Sequence, residues 1–128
     1  MGTGAPTILV VDDSPTARLQ LRVVLEEAGF GVEEAENGLE GLEAARLHPV
    51  DAIVVDLNMP VMTGIEMTAA VRQLIAHRQT PILVATTETS EEVIQQGLAA
   101  GATAWLIKPL DPEVILPALR QALSKRQG

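Results

Sequence analysis

Cysteine is absent from the sequence, which excludes disulfides, thiolate catalysis and sites in which cysteine binds zinc or an iron–sulfur cluster. Aromatic residues make up only 2% of the chain, so its core must be built from aliphatic side chains. No apolar run approaches the roughly 20 residues that a membrane span requires. The segment 1–6 lacks the basic and apolar regions of a secretory signal. From these absences we expect a cytoplasmic protein with no membrane contact.

Basic residues are also scarce, since nine Lys and Arg stand against 17 Asp and Glu and give a formal net charge of -8. An acidic surface repels nucleic acid and anionic membranes, and it suits basic proteins and divalent cations. The length of 128 residues corresponds to one domain, and 47% hydrophobic residues supply a core. We therefore predict a single domain over 1–128, with its folded core at about 7–123, and we expect a monomer.

Short runs of consecutive apolar residues predict four buried strands, at 7–11, 52–55, 81–85 and 104–107. These runs do not alternate with polar residues, which is typical of strands buried on both faces of a parallel sheet. The segment 31–35 reads Gly-Val-Glu-Glu-Ala and is more polar, so it predicts an edge strand.

Helical patterns lie between the predicted strands, at 15–28, after the Asn37-Gly38 turn, at 65–76, at 90–100 and from Asp111 onward. Pro117 falls inside the last helix and predicts a bend or a loosened first turn, because proline has no backbone N–H. The repeated strand–helix order predicts an α/β fold, a (βα)5 arrangement with a five-stranded parallel sheet and helices on both faces.

Polar side chains follow the predicted strands at their carboxyl ends, where sites form in sheets of this kind. In chain order these residues are Asp12, Asp13, Asp56, Thr86, Thr87 and Lys108. Lys108 is the only lysine before residue 125, so its position at a strand end is notable. We expect three carboxylates, a hydroxyl and an ammonium to converge at one edge of the sheet.

Converging carboxylates repel one another and raise one another's pKa, and a hard divalent cation such as Mg²⁺ relieves this repulsion. A carboxylate held beside a metal and a lysine is suited to accept a phosphoryl group, because the positive charges neutralise the transferring group. Each residue alone has an ordinary explanation, as a helix cap, a loop acid or a surface lysine. Their joint position at four strand ends favours the phosphoryl-transfer interpretation.

Other residues have less specific interpretations. His48 and His77 lie next to predicted helix ends, and we expect both to be solvated surface residues. Trp105 has two interpretations of equal weight, as a core aromatic or as a switching residue. The chain contains no G-x-x-x-x-G-K-[ST] loop and no G-x-G-x-x-G after the first strand, so a nucleotide-binding site is poorly supported.

Four motifs together resemble the receiver domain of two-component response regulators, in particular the stand-alone CheY-like type. They are VVDDS at 10–14, VVDLNMPVMTG at 54–64, ATTE at 85–88 and IKP at 107–109. The resemblance covers about 7–123. It implies the flavodoxin-like fold of CheY, with strand order 2-1-3-4-5, and a cis peptide bond between Lys108 and Pro109.

By this resemblance, Asp56 is the residue that a histidine kinase, here of the CheA type, phosphorylates. Thr86 is the switch hydroxyl, and Lys108 contacts the phosphoryl group.

The resemblance also implies Mg²⁺ as the cofactor. Asp13 and Asp56 would bind the ion with their side chains, Asn58 with its main-chain carbonyl, and Asp12 through water.

Trp105 stands at the position of the family's switch aromatic, which is expected to rotate inward when Thr86 moves toward the phosphoryl group. The face made by the fourth helix, fifth strand and fifth helix then changes its affinity for a partner. Trp105 is larger than the usual switch ring, so its pocket must differ or its movement must be limited.

Three further positions are expected to tune dephosphorylation. Asn58 and Glu88 match the pair found in enteric chemotaxis regulators, which lose their phosphoryl group quickly, so we expect a short-lived phosphorylated state. Thr87 stands where the family usually has Ala or Gly, and its extra bulk is expected to restrict access to the site.

The leading hypothesis is a signalling switch, and not an enzyme that turns over an external substrate. Three outputs remain open: a flagellar switch protein in chemotaxis, a phosphate sink, or a phosphorelay intermediate. An aspartyl-phosphate phosphatase is disfavoured, because Asn58 stands where such enzymes usually carry a second acid. A degenerate receiver that only binds proteins is disfavoured, because the signature residues are present.

Overall fold

The structure is a computed structural model and describes residues 4–127, with side chains described for 4–125. Within this part of the chain, five strands alternate with five α-helices. In chain order the elements are β1 (Thr7–Val11), α1 (Pro15–Glu27), β2 (Gly31–Ala35), α2 (Gly38–Leu47), β3 (Ala52–Asp56), α3 (Gly64–Val71), β4 (Ile82–Thr86), α4 (Glu91–Ala100), β5 (Ala104–Ile107) and α5 (Pro112–Gln127).

The five strands form one parallel sheet in the order β2-β1-β3-β4-β5. This order, the α/β class and the edge position of the polar strand β2 confirm the predictions. The register pairs Asp56 of β3 with Ala85 of β4, and Thr86 of β4 with Ile107 of β5. The carboxyl ends of these three strands therefore reach the same edge of the sheet.

Two apolar layers cover the sheet, one on each face, which explains why the strands are apolar without alternation. Leu9 and Val55 lie in the layer beneath α2, α3 and α4. Ile8 and Val54 lie in the layer beneath α1 and α5. In the part of the chain that the structure describes, no helix has the length and apolarity needed to cross a membrane.

Side-chain caps start four of the helices, each within one residue of the start that the sequence predicts. Ser14 accepts the N–H of Ala17 at the start of α1, and Asn37 accepts the N–H of Glu40 at the start of α2. A reciprocal capping box begins α3, and Ser90 begins α4. These caps fix the residue at which each loop ends and the next helix begins, and so shape the loops at the carboxyl edge of the sheet.

The predicted helix at 65–76 is too long, because α3 ends at Val71 and a separate 3₁₀ turn occupies Ile75–His77. The side chain of Arg72 accounts for the break. Its Nη1 donates to the carbonyls of His77 and Thr80, at 2.8 and 2.6 Å. These bonds fold the chain after α3 back around the guanidinium, which a continuous helix would prevent.

The prediction that His77 is a solvated surface residue is wrong. Its side chain is only 2% exposed, with Nε2 at 2.7 Å from the carbonyl oxygen of Ala45 and Nδ1 at 2.8 Å from Oγ1 of Thr80. Because a carbonyl only accepts, Nε2 carries a proton and donates it to Ala45, and in the neutral ring Nδ1 then accepts a hydrogen bond from the hydroxyl of Thr80. His48 is exposed, as predicted.

The last helix, α5, continues through Pro117. Its first turn is closed, since the N–H groups of Val114 and Ile115 both donate to the carbonyl of Asp111, at 2.8 and 3.0 Å. The predicted loosening of this turn is therefore not observed.

Candidate functional site

Three carboxylates meet at the carboxyl edge of the sheet. Asp12 and Asp13 follow β1, and Asp56 ends the neighbouring strand β3. One oxygen from each carboxylate lies within 4.8 Å of the other two. Asp12 and Asp56 are buried and Asp13 is exposed, so the cluster opens to solvent on one side. The predicted convergence of the acidic residues is observed.

Lys108 brings the positive charge to this cluster from the end of β5. Its Nζ lies 2.7 Å from Oδ1 of Asp56 and 3.6 Å from Oδ2 of Asp12. The peptide bond between Lys108 and Pro109 is cis, as expected. Burial alone would lower the pKa of Lys108, but its hydrogen bond to Asp56 and the charges of Asp56 and Asp12 raise that pKa overall. The lysine is therefore a permanent cation beside Asp56.

Asp56 is the most buried of the three carboxylates, with 6% of its surface exposed. Burial raises its pKa above the ordinary value, the hydrogen bond from Lys108 opposes that rise, and the charges of Asp12 and Asp13 add to it. Lys108 thus favours the ionised carboxylate, whereas desolvation and the neighbouring carboxylates disfavour it. A second cation beside Asp56 would offset the desolvation and the repulsion from Asp12 and Asp13.

The donor set fits Mg²⁺, which prefers a few carboxylate oxygens and keeps several waters. The three carboxylates supply hard oxygen ligands that are already gathered, and the exposed Asp13 leaves room for water. The N–H of Ser14 donates to Oδ1 of Asp12 at 2.9 Å and orients that carboxylate. The pKa of Asp56 is raised mainly by burial and further by the charges of Asp12 and Asp13, and a bound cation would oppose both effects.

Thr86, the buried last residue of β4, presents its hydroxyl between two donors. Oγ1 accepts the N–H of Glu88 at 3.0 Å and lies 3.4 Å from the side-chain nitrogen of exposed Asn58. The link between Asn58 and Thr86 was missed in the sequence, where these residues are 28 positions apart. The only available signal was that both lie at the carboxyl ends of neighbouring strands.

The segment after β4 connects the site to β5. The side chain of Glu88 accepts the N–H of Ser90 at 3.2 Å, and its carbonyl accepts Nε1 of Trp105 at 3.2 Å. Trp105 is half-buried and packs against the core layer beneath α4. The structure therefore places the predicted tuning residue and the predicted switch aromatic in direct contact.

A groove of about 640 Å³ opens beside the site, between α1 and the chain after β5. Asp12, Thr87 and Lys108 form its polar end, and Leu21 and Leu110 lie among its apolar walls. Thr87 is exposed at the boundary between groove and site, as its predicted effect on access requires. The sequence did not reveal the groove, because its walls come from two distant segments.

Comparisons with known proteins agree with this geometry. The model of the response regulator receiver domain family matches residues 8–120. The transcriptional regulatory protein SrrA of Staphylococcus aureus is 33% identical over 121 residues, which are 94% of this chain and 49% of SrrA. The chain thus spans about half the length of the curated relatives it matches.

Solved structures are also similar. The chemotaxis response regulator CheY4 of Vibrio cholerae is 46% identical, with a TM-score of 0.88 over 92% of this chain and 98% of that chain. The receiver domain of sensor histidine kinase PA1611 from Pseudomonas aeruginosa, solved with magnesium coordinated in its active site cleft, is 25% identical. Its TM-score is 0.87 over 94% of this chain and 98% of that chain.

Proposed function

This chain belongs to the response regulator receiver domain family, and from that premise we propose that Asp56 accepts a phosphoryl group from a histidine kinase. The observation that carries the proposal is the 2.7 Å contact between Nζ of Lys108 and the buried Asp56 carboxylate, beside two further carboxylates. A surface acid would be free of these neighbours, whereas a phosphoryl acceptor needs cations around it.

The proposed reaction is a direct transfer. An oxygen of Asp56 attacks the phosphorus of a phosphohistidine, the phosphorus–nitrogen bond breaks as the phosphorus–oxygen bond forms, and the imidazole leaves and takes up a proton. Lys108 stabilises the negative charge on the transferring group, and the hydroxyl of Thr86 donates to one of its oxygens. The protein thereby supplies charge and orientation, while the phosphohistidine supplies the free energy that drives the transfer.

The proposal includes Mg²⁺, held by the side chains of Asp13 and Asp56 and through water by Asp12, with the main-chain carbonyl of Asn58 as a further ligand by family resemblance. When bound, the ion supplies positive charge that offsets the phosphoryl oxygens and the crowded carboxylates. The magnesium-containing receiver of Pseudomonas aeruginosa supports this part of the proposal.

Loss of the phosphoryl group by attack of water is proposed to depend on Asn58, Thr87 and Glu88. All three side chains are exposed around the entrance to the site. Thr87 narrows the approach, while Asn58 and Glu88 offer polar groups to an incoming water. Exchanging them should change the lifetime of the phosphorylated state without preventing its formation.

For the cellular role we propose chemotaxis, with a cytoplasmic monomer that signals through the face made by α4, β5 and α5. The similarity to CheY4 supports this role, because it reaches 46% identity and covers 98% of that chain. The similarity to SrrA covers only 49% of that protein, so its transcriptional role is not transferred. The flagellar switch is the proposed partner. We propose a switch and not a turnover enzyme.

Phosphotransfer from a purified CheA-type kinase carrying labelled phosphohistidine tests the proposed reaction. Label should leave the kinase and appear on this chain within the first time points, and Asp56→Asn should receive none. Equal labelling of wild type and Asp56→Asn would reject Asp56 as the acceptor.

Binding measurements on the phosphorylated chain separate the three outputs. Tighter binding to a flagellar switch protein would support the chemotaxis role. Return of label to the kinase without such binding would indicate a phosphate sink. Onward transfer of label to a histidine phosphotransfer protein would indicate a relay.

A further inference from the structure

Gly97 lies in the middle of α4, where glycine weakens a helix relative to alanine. Its backbone has ordinary helical geometry, unlike Gly29 and Gly101, which have positive φ. The reason for glycine is the ring of Trp105. A Cβ at position 97 would lie 2.4 Å from Cζ3 and 2.9 Å from Cε3 of the indole. The ring therefore rests directly on the helix backbone, and only glycine leaves it that space.

The polar end of the same indole holds the segment after β4. Nε1 of Trp105 donates to the carbonyl of Glu88 at 3.2 Å, and the N–H of Glu88 donates to Oγ1 of Thr86 at 3.0 Å. The backbone of Glu88 is thus hydrogen-bonded through its carbonyl to the ring and through its N–H to Thr86. Moving the ring breaks the hydrogen bond to the carbonyl and leaves the bond to Thr86 without that support.

The tie to Thr86 orients a hydroxyl that the phosphoryl transfer uses. A hydroxyl has two acceptor lone pairs and one proton. The lone pairs of Oγ1 face the N–H of Glu88 at 3.0 Å and the side-chain nitrogen of Asn58 at 3.4 Å. The proton is then left to donate to another acceptor, which in the proposed reaction is a phosphoryl oxygen. Without the Glu88 amide the hydroxyl would rotate more freely.

We propose that Gly97 is a positioning residue for phosphoryl transfer, acting through Trp105 and Glu88 on the hydroxyl of Thr86. The inference rests on the proposed function, because it assigns Gly97 a part in that reaction. It also explains how a switch ring as large as indole is accommodated: α4 carries no side chain where the ring lies.

The first test displaces the ring. Trp105 is the single tryptophan of the chain, so its fluorescence reports on this contact alone. We expect Gly97→Ala to shift the emission to longer wavelength, to increase quenching by acrylamide and to lower the Tm, although alanine is the better helix former. Gln96→Ala, an exposed neighbour in the same helix, is the matched control and should change none of these.

The second test measures the phosphorylation rate with acetyl phosphate and Mg²⁺ by intact mass, in Gly97→Ala, Trp105→Phe and the double variant. Because all three lose the hydrogen bond to Glu88, we expect the same slowing in each, about fivefold or more, as for typical coupled sites. The smaller phenyl ring relieves the clash, so the double variant should regain the Tm that Gly97→Ala loses. If Gly97 had a purely structural role, the phosphorylation rate would recover in the double variant together with the Tm.

Two results would overturn the inference. Unchanged emission in Gly97→Ala would mean that the ring does not rest on α4. Displaced emission with a wild-type phosphorylation rate would mean that Gly97 has only a packing role. Failure of the proposed function is recognised separately, because wild type would then gain no phosphoryl group while the fluorescence shift would still occur.

Discussion

At the scale of single residues, Asp56 is a carboxylate whose ionised form serves the reaction but lowers the stability of the folded protein. It is a buried acid, and its pKa is raised by that burial and by the carboxylates of Asp12 and Asp13, while Lys108 opposes the rise. The ionised group is what the reaction needs, yet it is the form that burial penalises. The folded chain therefore retains a cluster of negative charge that a bound cation would stabilise.

The replacement Asp56→Asn should stabilise the metal-free protein at pH 7 by about 1 kcal/mol, the common size of a single-residue effect. Because folding raises the pKa of Asp56, its contribution to stability is full at low pH and is lost as pH rises through the folded pKa. Asparagine imitates the protonated form, so its advantage should fall as the pH approaches 3.8, the ordinary carboxyl pKa. Urea unfolding in EDTA at several pH values measures this, and a less stable variant at pH 7 would contradict it.

Val61, in the loop between β3 and α3, has a strained backbone conformation. It has a φ of 73°, which β-branched residues strongly disfavour, and its side chain is 76% exposed. We expect Val61→Asn to raise the free energy of unfolding by about 1 kcal/mol, since asparagine tolerates this conformation. Ile75→Asn is the matched control, because Ile75 is 80% exposed and lacks a positive φ. Equal effects of the two changes in urea unfolding would reject the strain explanation.

At the scale of elements, polar side chains connect helices to the strands and loops that they pack against. Glu34 on the edge strand β2 receives hydrogen bonds from Arg18 and Arg22 of α1. Those bonds lower the pKa of Glu34, the bond from Arg22 first. On the other face of the sheet, His77 joins α2 to the chain that enters β4. The two connections differ in exposure, and so they should differ in strength.

Glu34→Gln should lower the free energy of unfolding at pH 7 by only about 0.5 kcal/mol, because the ion pairs are exposed and screened. A lowered carboxyl pKa stabilises above the unfolded value, 4.5, and this stability is lost as pH falls through the folded pKa. The difference from wild type should therefore vanish in acid and shrink at high salt. Glu27→Gln, an exposed acid on α1, is the control for charge alone, and an equal effect there would refute the pairing.

His77→Phe should cost about 1–3 kcal/mol of unfolding free energy, since phenylalanine fills the space but leaves the buried carbonyl of Ala45 and hydroxyl of Thr80 without the ring nitrogens. His48→Phe, at an exposed position, should leave stability nearly unchanged. Both are measured by urea unfolding at pH 7. Similar small effects in the two variants would contradict the buried role of His77.

At the scale of the whole molecule, the sequence predicted the features that follow from periodicity and topology. Strands apolar on both faces require covered faces, and the ends of parallel strands meet at one edge, so the sheet and the site could be anticipated. Features that depend on single long-range bonds could not. His77 bonds to a carbonyl 32 residues away, and Arg72 to the carbonyl of Gly101 29 residues away. Such bonds leave no repeating pattern in the sequence.

The space that Gly97 leaves for the indole of Trp105 is another feature that the sequence could not predict. Gly97 and Trp105 lie in adjacent elements, and nothing in the local pattern distinguishes this glycine from one that merely weakens a helix. Only the packing of β5 against α4 gives the glycine its meaning.

Acceptance of a phosphoryl group by Asp56 is the central claim, and intact mass after reaction with acetyl phosphate and Mg²⁺ tests it most directly. With acid quenching at short times, wild type should gain one phosphoryl mass and lose it soon after the donor is removed. Asp56→Asn should gain none. If wild type gains none, Thr87→Ala tests whether the bulk of Thr87 blocks the donor. An adduct in neither Thr87→Ala nor wild type, or one that persists in Asp56→Asn, would contradict the account.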